Sequence, residues 1–327
     1  MVLVTGCNSN LGMNLVNRLI QDGNTVRCID RFKPKNMPQN FEFFTSDLTN
    51  HAILKKACQG VDTIYHLMSI VSPSHIGRSN MKRINIKGTR NLILQAKIAK
   101  VKKFIFLSTF EVYGEPDKIP TIATYKTKPI TKFGKDKLKA EKHLRQAMKE
   151  TMLDITIFRP ALILGPGTQN PKALITLYMA LGAGKQNRIY TANNDEDTFF
   201  QMLHHDDAVS AFIKSAQTDK SKGKIYNIGS DSVPTMQEQL HKVIEKAQVQ
   251  SEIKALTPSR LRSLSWLMRM FKFNFLSKDY LVYLLGDVLL DCNPAKEELN
   301  WQPKKNNIDI ILDTVEWYRN NRLKKKG

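Results

Sequence analysis

The sequence predicts an α/β protein, a doubly wound parallel sheet followed by a smaller C-terminal α/β lobe. Three observations carry this expectation. Short apolar segments alternate with amphipathic ones through the first half of the chain, the rhythm of parallel strands covered by helices on both faces. A glycine-bearing turn, Thr5-Gly6-Cys7-Asn8-Ser9-Asn10-Leu11-Gly12, joins the first apolar segment to the first amphipathic one. The rhythm then weakens after Gly165-Pro166-Gly167, where a second lobe is expected to begin.

The elements follow in order. Met1-Val2-Leu3-Val4 opens a strand over 1–5, and the amphipathic stretch 10–22 reads as a helix. Strands are expected at 25–29 and 41–45, a helix at 50–58, a strand at 62–67 and a long helix at 80–99. A strand at 103–108, a helix at 132–150 and a strand at 154–164 complete the series. Lys224-Ile225-Tyr226-Asn227-Ile228-Gly229 again reads as a sheet strand. The dinucleotide-type domain is therefore placed at 1–165, completed by segments near 188–229, and the substrate lobe at 166–187 and 230–327.

Composition narrows the class. With 327 residues, 42% of them hydrophobic and 24% charged, the chain can bury a sizeable core. No apolar run reaches the roughly 18 residues that span a bilayer. The chain begins almost directly on a strand, with no basic leader segment before it, so a cytoplasmic location is expected. Cys7, Cys28, Cys58 and Cys292 form no Cys-x-x-Cys pair and read as reduced thiols. Fifty Lys and Arg against thirty Asp and Glu give a net charge of +20, which attracts polyanions in general. Zinc-finger and aromatic-basic RNA-binding spacings are missing from the sequence, so no specific nucleic-acid partner is expected.

The turn at Gly6 and Gly12 leads into a helix whose first amides can receive a pyrophosphate, and small residues let the phosphates approach. Ser9 stands between the two glycines. Its β-carbon costs space there, while its hydroxyl is a further group able to bond phosphate. Asp30 lies 18 residues past Gly12, at the end of the second strand, where a carboxylate accepts hydrogen bonds from an adenosine ribose and repels a 2′-phosphate. This favours NAD over NADP, although Arg31 is adjacent.

Further along, Phe104-Ile105-Phe106-Leu107-Ser108-Thr109-Phe110-Glu111-Val112-Tyr113-Gly114 is a strand ending in hydroxyl residues, and Lys137 follows Phe133 by four residues, so both leave the same helix face. Together these segments resemble the extended short-chain dehydrogenases and reductases, the NAD-dependent epimerase/dehydratase family. That resemblance implies a Rossmann-type fold, NAD as cofactor and a homodimer formed by the helices at 80–99 and 132–150. It also implies Asp47 and Leu48 beside the adenine, Leu67, Met68 and Ser69 lining the dinucleotide, and Asn85 steadying the central helix. Met68 is bulkier than the family's usual residue. Asn10 and Leu11 belong to the phosphate turn, Lys137 holds the nicotinamide ribose, and Arg159-Pro160 close the nicotinamide end, more as architecture than as chemistry.

The family's catalytic pattern is Tyr-x-x-x-Lys, and here Phe133 stands where the Tyr belongs. Thr109 is the hydroxyl expected to bond the reacting substrate oxygen. Phenylalanine fills the same volume but transfers no proton, a loss worth roughly 10²- to 10⁴-fold. Substitutes are Tyr125, more readily a surface or lid residue, Lys137 acting through water, and Glu111, more simply a solvated loop carboxylate. Ser108 reads as a turn or packing residue. His204-His205-Asp206-Asp207 reads as a helix start capped by Asp206 or Asp207, and no metal is expected.

The family's nucleotide-sugar enzymes carry an Arg-Pro-Gly-Asp stretch that is missing here. The segment Ser259–Phe273, followed by Leu276-Ser277-Lys278-Asp279-Tyr280 and by Ala295-Lys296-Glu297-Glu298-Leu299-Asn300-Trp301-Gln302-Pro303, instead resembles the 3β-hydroxysteroid-dehydrogenase-like branch, which acts on sterols, flavonoids and other apolar alcohols or ketones. As a helix it places Arg262, Ser265, Arg269 and Lys272 on one stripe and Leu261, Leu264, Leu267, Met268 and Phe271 on a broad apolar face. It can serve as a lid over an apolar pocket, as a peripheral contact with an anionic membrane, or as ordinary packing. The expected function is an NAD-dependent oxidoreductase acting on an apolar or lipid-like alcohol or ketone with an altered proton donor. A catalytically inactive NAD(H)-binding sensor or scaffold and a nucleotide-sugar epimerase/dehydratase are the alternatives.

Overall fold

The first half of the chain folds as β1 (Val2–Thr5), α1 (Asn10–Gln21), β2 (Val26–Asp30), β3 (Glu42–Thr45), α2 (His51–Cys58) and β4 (Thr63–His66). It continues through α3 (Gly77–Lys82), a π-helical turn (Arg83–Gly88), α4 (Thr89–Ile98), β5 (Lys103–Leu107), α5 (Lys132–Glu150) and β6 (Asp154–Pro160). The computed structural model describes residues 1–34, 41–71, 76–168, 187–192, 198–248, 251–257, 259–260, 263, 266 and 286–322. Its second half contains β7 (Leu162–Leu164), β8 (Asn187–Ala192), β9 (Met202–His204), α6 (His205–Ala216), β10 (Ile225–Ile228), α7 (Met236–Lys246), β11 (Ser251–Leu256), α8 (Asn293–Leu299) and α9 (Asn307–Arg322).

Seven strands pair in parallel in the order β10-β6-β5-β4-β1-β2-β3. The order reverses at β1, so the chain winds outward in both directions from the centre, and a crevice opens beyond the C-terminal ends of the paired β1 and β4, where the chain leaves toward opposite faces of the sheet. Helices cover both faces. On one side α1 and α6 pack with Leu15, Val16, Phe158, Phe212 and the fully buried Trp301. On the other, α2, α4 and α5 supply Leu54, Leu92, Ile93, Ala140 and Leu144 to a second core. The inner strands β1, β4 and β5 are thus largely buried on both faces, the reason these segments read as short apolar runs.

Two elements differ from their sequence expectation. The segment 154–164 is two strands: after Pro160 the chain leaves the main sheet, and Leu162–Leu164 pairs with Met202–His204 instead. Proline has no N–H to continue the ladder. The long helix expected at 80–99 widens to a π-helical turn over Arg83–Gly88. Asn85 lies in this turn, its amide donating to Ile70 O at 2.9 Å and accepting from Ile70 N at 2.8 Å. That clamp fastens the helix to the loop following β4. Strand β10 joins the sheet edge beside β6, registering Ile225 with Ile157 and Ile228 with Pro160.

Candidate active site

The phosphate end is built by close backbone contact. Gly6 has φ +81°, and a β-carbon there would lie 2.6 Å from Met68 N; one on Gly12 would lie 2.3 Å from Gly6 O. No larger residue fits either place without moving backbone. Ser9 is different: its φ of −82° and ψ of 157° are ordinary extended values. Its hydroxyl donates to Gly6 O at 2.9 Å and accepts from Gly12 N at 3.0 Å, capping α1. The hydroxyl expected to be available for a phosphate is therefore already engaged in holding the turn. Met68 also departs from expectation, because its side chain enters the second core with Leu48 and Ile84 and leaves the cavity open.

At the tip of β2, Asp30 accepts from Asn8 N at 2.8 Å and from Arg31 N at 2.6 Å. Burial raises its pKa, and these amides draw it back. Arg31 lies over the Phe32 ring at 5.3 Å. Asp47 accepts from Thr49 and from Arg83 at 3.3 Å; burial opposes its charge, but these donors hold its pKa below the usual range. Leu48 is fully buried, and a β-carbon on Gly88 would strike its Cβ at 2.6 Å. Asn10 reaches across to Pro166 O at 3.2 Å, tying the first turn to the Gly165–Gly167 loop.

These observations fit a dinucleotide. The glycine cradle would be filled by any β-carbon, the positive end of α1 opens on the cavity beside Asn8, Ser9, Asn10 and Leu11, and the Asp30 carboxylate, held by backbone amides, stands at the tip of β2 as an acceptor for a ribose hydroxyl.

The opposite wall of the same cavity, about 390 Å³ in volume, is formed by Leu67, Ser69, Thr109, Glu111, Phe133 and Lys137. Pro160 borders it as well. Phe133, Lys137 and Glu141 follow one another at four-residue spacing along α5 and share one face. Lys137 is buried, donates to Leu107 O at 2.5 Å, and stands over the Phe106 ring at 4.6 Å and the Phe133 ring at 5.5 Å. Burial lowers its pKa to about 7, while the negative charges of Glu141 and Glu111 pull it upward. Thr109 Oγ1 accepts from Glu111 N at 3.3 Å, so its own proton is left for another acceptor.

Glu111 is the main surprise. It is only 6% exposed, lines the cavity and accepts a hydrogen bond from Thr131, contrary to the solvated carboxylate expected from its loop position. The cause is Gly134. A β-carbon there would lie 2.6 Å from Glu111 O, so glycine lets α5 meet the turn at Phe110–Val112 backbone to backbone. Thr131 joins the two, capping α5 through Gly134 N at 2.9 Å while donating to Glu111. Tyr125, by contrast, bonds Asp117 at the exposed surface and does not line the cavity.

Beneath the site runs a buried polar chain with few signs in the sequence. Ser108 donates to Glu141 Oε1 at 2.5 Å, and Arg159 grips both oxygens of Glu141 at 3.0 and 2.6 Å. Arg159 also donates to Tyr113 Oη at 3.1 Å, and Tyr113 donates to Asn227 at 2.6 Å. Arg159 is thus structural and lies outside the cavity lining, whereas Ser108 belongs to the network rather than merely to a turn. Nearby, Thr89 donates to Asn85 O at 2.8 Å, so His66 must donate through Nε2 to Thr89 and accept at Nδ1 from Thr5. Burial keeps this imidazole neutral. The four-residue spacing of Glu141 from Lys137 is the sequence signal that could have pointed toward this network.

The cap of α6 is His204, which accepts from Asp206 N at 3.3 Å, in place of the expected Asp206 or Asp207. Asp207 accepts from Lys304 N and Lys305 N, fastening the C-terminal segment. Ligand-type atoms of His204, His205 and Asp206 fall within 4.8 Å of one another, but Nδ1 of His204 serves the cap and Nδ1 of His205 contacts Asn14 at 2.6 Å. A larger groove of about 470 Å³ between α1 and α6 holds none of the reactive groups. The expected amphipathic segment 259–273 lies outside the described residues apart from Ser259, Arg260, Ser263 and Trp266. Among the described residues, no helix is long and apolar enough to cross a membrane.

A model of the NAD dependent epimerase/dehydratase family matches residues 2–229. An uncharacterised protein of Sinorhizobium fredii is 27% identical over 321 residues, covering 98% of this chain and 79% of its own. The UDP-glucose 4-epimerase of Mycolicibacterium smegmatis is 27% identical over 340 residues, covering 97% of this chain and 98% of its own. Among solved structures, the UDP-glucose 4-epimerase of Thermotoga maritima with UDP-glucose superposes with a TM-score of 0.78 at 24% identity, covering 98% of each chain.

Proposed function

The chain belongs to the NAD-dependent epimerase/dehydratase family, and from that premise we propose that it binds NAD and acts on a nucleotide sugar by reversible oxidation at a sugar carbinol. The observation that carries this reading is one cavity with a phosphate-receiving helix start at one end and Thr109, Glu111 and Lys137 at the other. The alternative of an apolar or lipid-like alcohol rests on the arrangement of 259–273, 276–280 and 295–303, of which the first lies mostly and the second wholly outside the described residues. The relatives of stated activity instead favour a nucleotide sugar.

Bound in the cradle of Gly6, Gly12 and Asp30, NAD would supply reversible hydride acceptance for the substrate carbon. Thr109, whose oxygen accepts from Glu111 N, keeps its hydroxyl proton and can orient the substrate oxygen by donating it. Lys137, with a pKa lowered to about 7, exists as both ammonium and amine near neutrality and can give or take the carbinol proton. Phe133 packs its ring beside the ammonium and excludes water from it. Glu111 provides a second proton acceptor in the same cavity, suited to a carbon-bound proton next to the ketone, the step that distinguishes dehydration from simple epimerisation.

Calorimetric titration with NAD, followed by NMR of the holoprotein incubated with UDP-glucose or dTDP-glucose, tests this. Binding and appearance of an epimer or a dehydrated keto sugar are expected, with Lys137→Met lowering turnover by about 10² or more. Failure to bind NAD removes the reading. One observation favours a second one: Phe133 lacks the phenol, so a protein that binds NAD yet turns over no sugar would be a non-catalytic NAD(H)-binding member of the family.

A further inference from the structure

Lys137 occupies a setting suited to a neutral amine. The residue is only 2% exposed, yet it lines the cavity. Its nitrogen stands 4.6 Å from the centre of the Phe106 ring and 5.5 Å from that of Phe133, and one N–H is held by Leu107 O at 2.5 Å. Phe133 offers this nitrogen neither donor nor acceptor, where a phenol would engage it. The charged groups around it are committed elsewhere: Glu141, one turn along α5, is gripped by Arg159, and Glu111, in the turn after β5, accepts from Thr131. On β4, burial keeps the His66 imidazole neutral. An amine desolvated against apolar walls in this way keeps a lone pair at neutral pH, which makes it a nucleophile as well as a base.

Two further groups of the same wall complete the requirements for attack on a carbonyl. Thr109 keeps a hydroxyl proton that can polarise a carbonyl oxygen, because its own oxygen accepts from Glu111 N. Glu111 is a carboxylate able to carry protons between nitrogen and oxygen within the cavity.

We propose that Lys137 also acts as a nucleophile, capturing the ketone of a keto sugar in this cavity as an imine. The inference rests on the reading of the cavity as the place where a sugar carbinol becomes a ketone. The nitrogen lone pair forms the C–N bond while the carbonyl π pair moves to the oxygen, which Thr109 steadies. Glu111 relays one proton from nitrogen to that oxygen, giving a carbinolamine. The nitrogen then forms the C=N bond and expels the oxygen, and its second proton follows through Glu111. Both amine protons leave in the water, so one amine and one ketone give one imine and one water, with no oxidant or reductant consumed.

Capture supplies an electron sink that the missing phenol does not. With a proton taken up on the imine nitrogen, the adjacent C–H is acidified, and Glu111 takes that proton as the C–H pair forms an enamine. The enamine expels a hydroxyl from the next carbon, which leaves as water with the proton held by Glu111. Hydrolysis of the C=N bond then frees Lys137. The substrate class is accordingly a sugar ketone with a hydroxyl two carbons from the carbonyl carbon.

The test is reductive trapping on the full chain, with UDP-4-ketoglucose or dihydroxyacetone supplied ready-made, NAD withheld, and sodium cyanoborohydride present to reduce the imine to a stable amine. Peptide mapping by mass spectrometry is expected to place the adduct on Lys137. Exposed lysines titrate near about 10.4, so at pH 7 the buried amine should be labelled more than about tenfold faster than any of them. Half-maximal labelling is expected near pH 7, where Lys137 titrates. Lys137→Met should abolish this adduct, and Glu111→Gln should slow its formation about tenfold or more while leaving it on the same residue. Circular dichroism melting shows that both variants fold, and mapping of the natural protein assigns the adduct independently of either. Because the ketone is supplied and NAD is absent, the outcome does not depend on sugar oxidation, and calorimetry with NAD reports that reading separately. An unmodified Lys137, or labelling of Lys137 that rises only near pH 10 together with the exposed lysines, would overturn the proposal.

Discussion

Arg159 and Glu141 form a bidentate ion pair at 3.0 and 2.6 Å with both side chains fully buried, one helical turn along α5 from Lys137. Desolvating two charges is costly, and their attraction repays it only where every remaining donor and acceptor is satisfied. Here Ser108 and Arg145 also reach Glu141, while Tyr113 and Ala123 O receive the other arm of Arg159. Glu141→Ala leaves a buried guanidinium without its counter-charge and should cost about 3–5 kcal/mol of stability, read from urea unfolding. Replacing both partners, as Glu141→Leu with Arg159→Met, should recover much of that loss. A double variant as unstable as the single one would show that the pair is not the unit that matters.

Lys137 gives stability a pH dependence whose sign follows from burial. Its pKa falls from 10.5 in the unfolded chain to about 7 in the fold. Between these values the unfolded chain carries the extra proton, so this group makes the fold more stable as pH rises through the window. Below about pH 7 both states are protonated, and the full cost of the buried ammonium is present. Lys137→Met should therefore raise stability most at the acidic end and flatten the rise, measured by denaturant unfolding at a series of pH values. An unchanged slope would mean that Lys137 retains an ordinary pKa.

The features legible in the sequence are those set by local rules. Apolar runs gave the seven-stranded sheet, the glycines at Gly6 and Gly12 marked the tight turn, and four-residue spacing placed Phe133 and Lys137 on one face. The features that escaped depend on how two separate segments meet. Glu111 is buried because Gly134, more than twenty residues away, lets a helix touch its carbonyl. The π-helical turn exists where Asn85 clamps the Ile70 backbone, and Arg159 leaves the cavity lining because Glu141 is within reach. No periodicity in the chain reports such distances. Ser9 has a role that the glycine pattern alone does not report: its backbone is extended and its hydroxyl caps α1.

That cap yields a contrast between neighbouring positions. Ser9→Ala should cost about 1 kcal/mol of stability through loss of the bond to Gly12 N, and leave NAD affinity nearly unchanged. Gly12→Ala should disrupt the turn itself, since its methyl would fall 2.3 Å from Gly6 O, and NAD binding should be lost with it. Calorimetry alongside thermal melting separates the two effects. A large drop in affinity for Ser9→Ala at unchanged stability would restore the hydroxyl as a phosphate ligand.

Phe133→Tyr decides how the proton moves. The new hydroxyl would enter the cavity on the same face as Lys137, whose nitrogen stands 5.5 Å from the present ring. If the natural protein relies on Lys137 or Glu111, turnover already exists, and the variant should raise it by less than the roughly 10²- to 10⁴-fold value of a positioned acid or base. In that case the acidic limb of the kcat profile, near pH 7 where Lys137 titrates, should shift as the phenol takes over. If the natural protein is an NAD(H)-binding member without activity, the variant should instead create turnover from a background of none. Glu111→Gln in the natural background resolves the remaining choice: loss of the dehydrated product with oxidation retained assigns the carboxylate to the carbon-bound proton, and loss of all turnover assigns it to the carbinol.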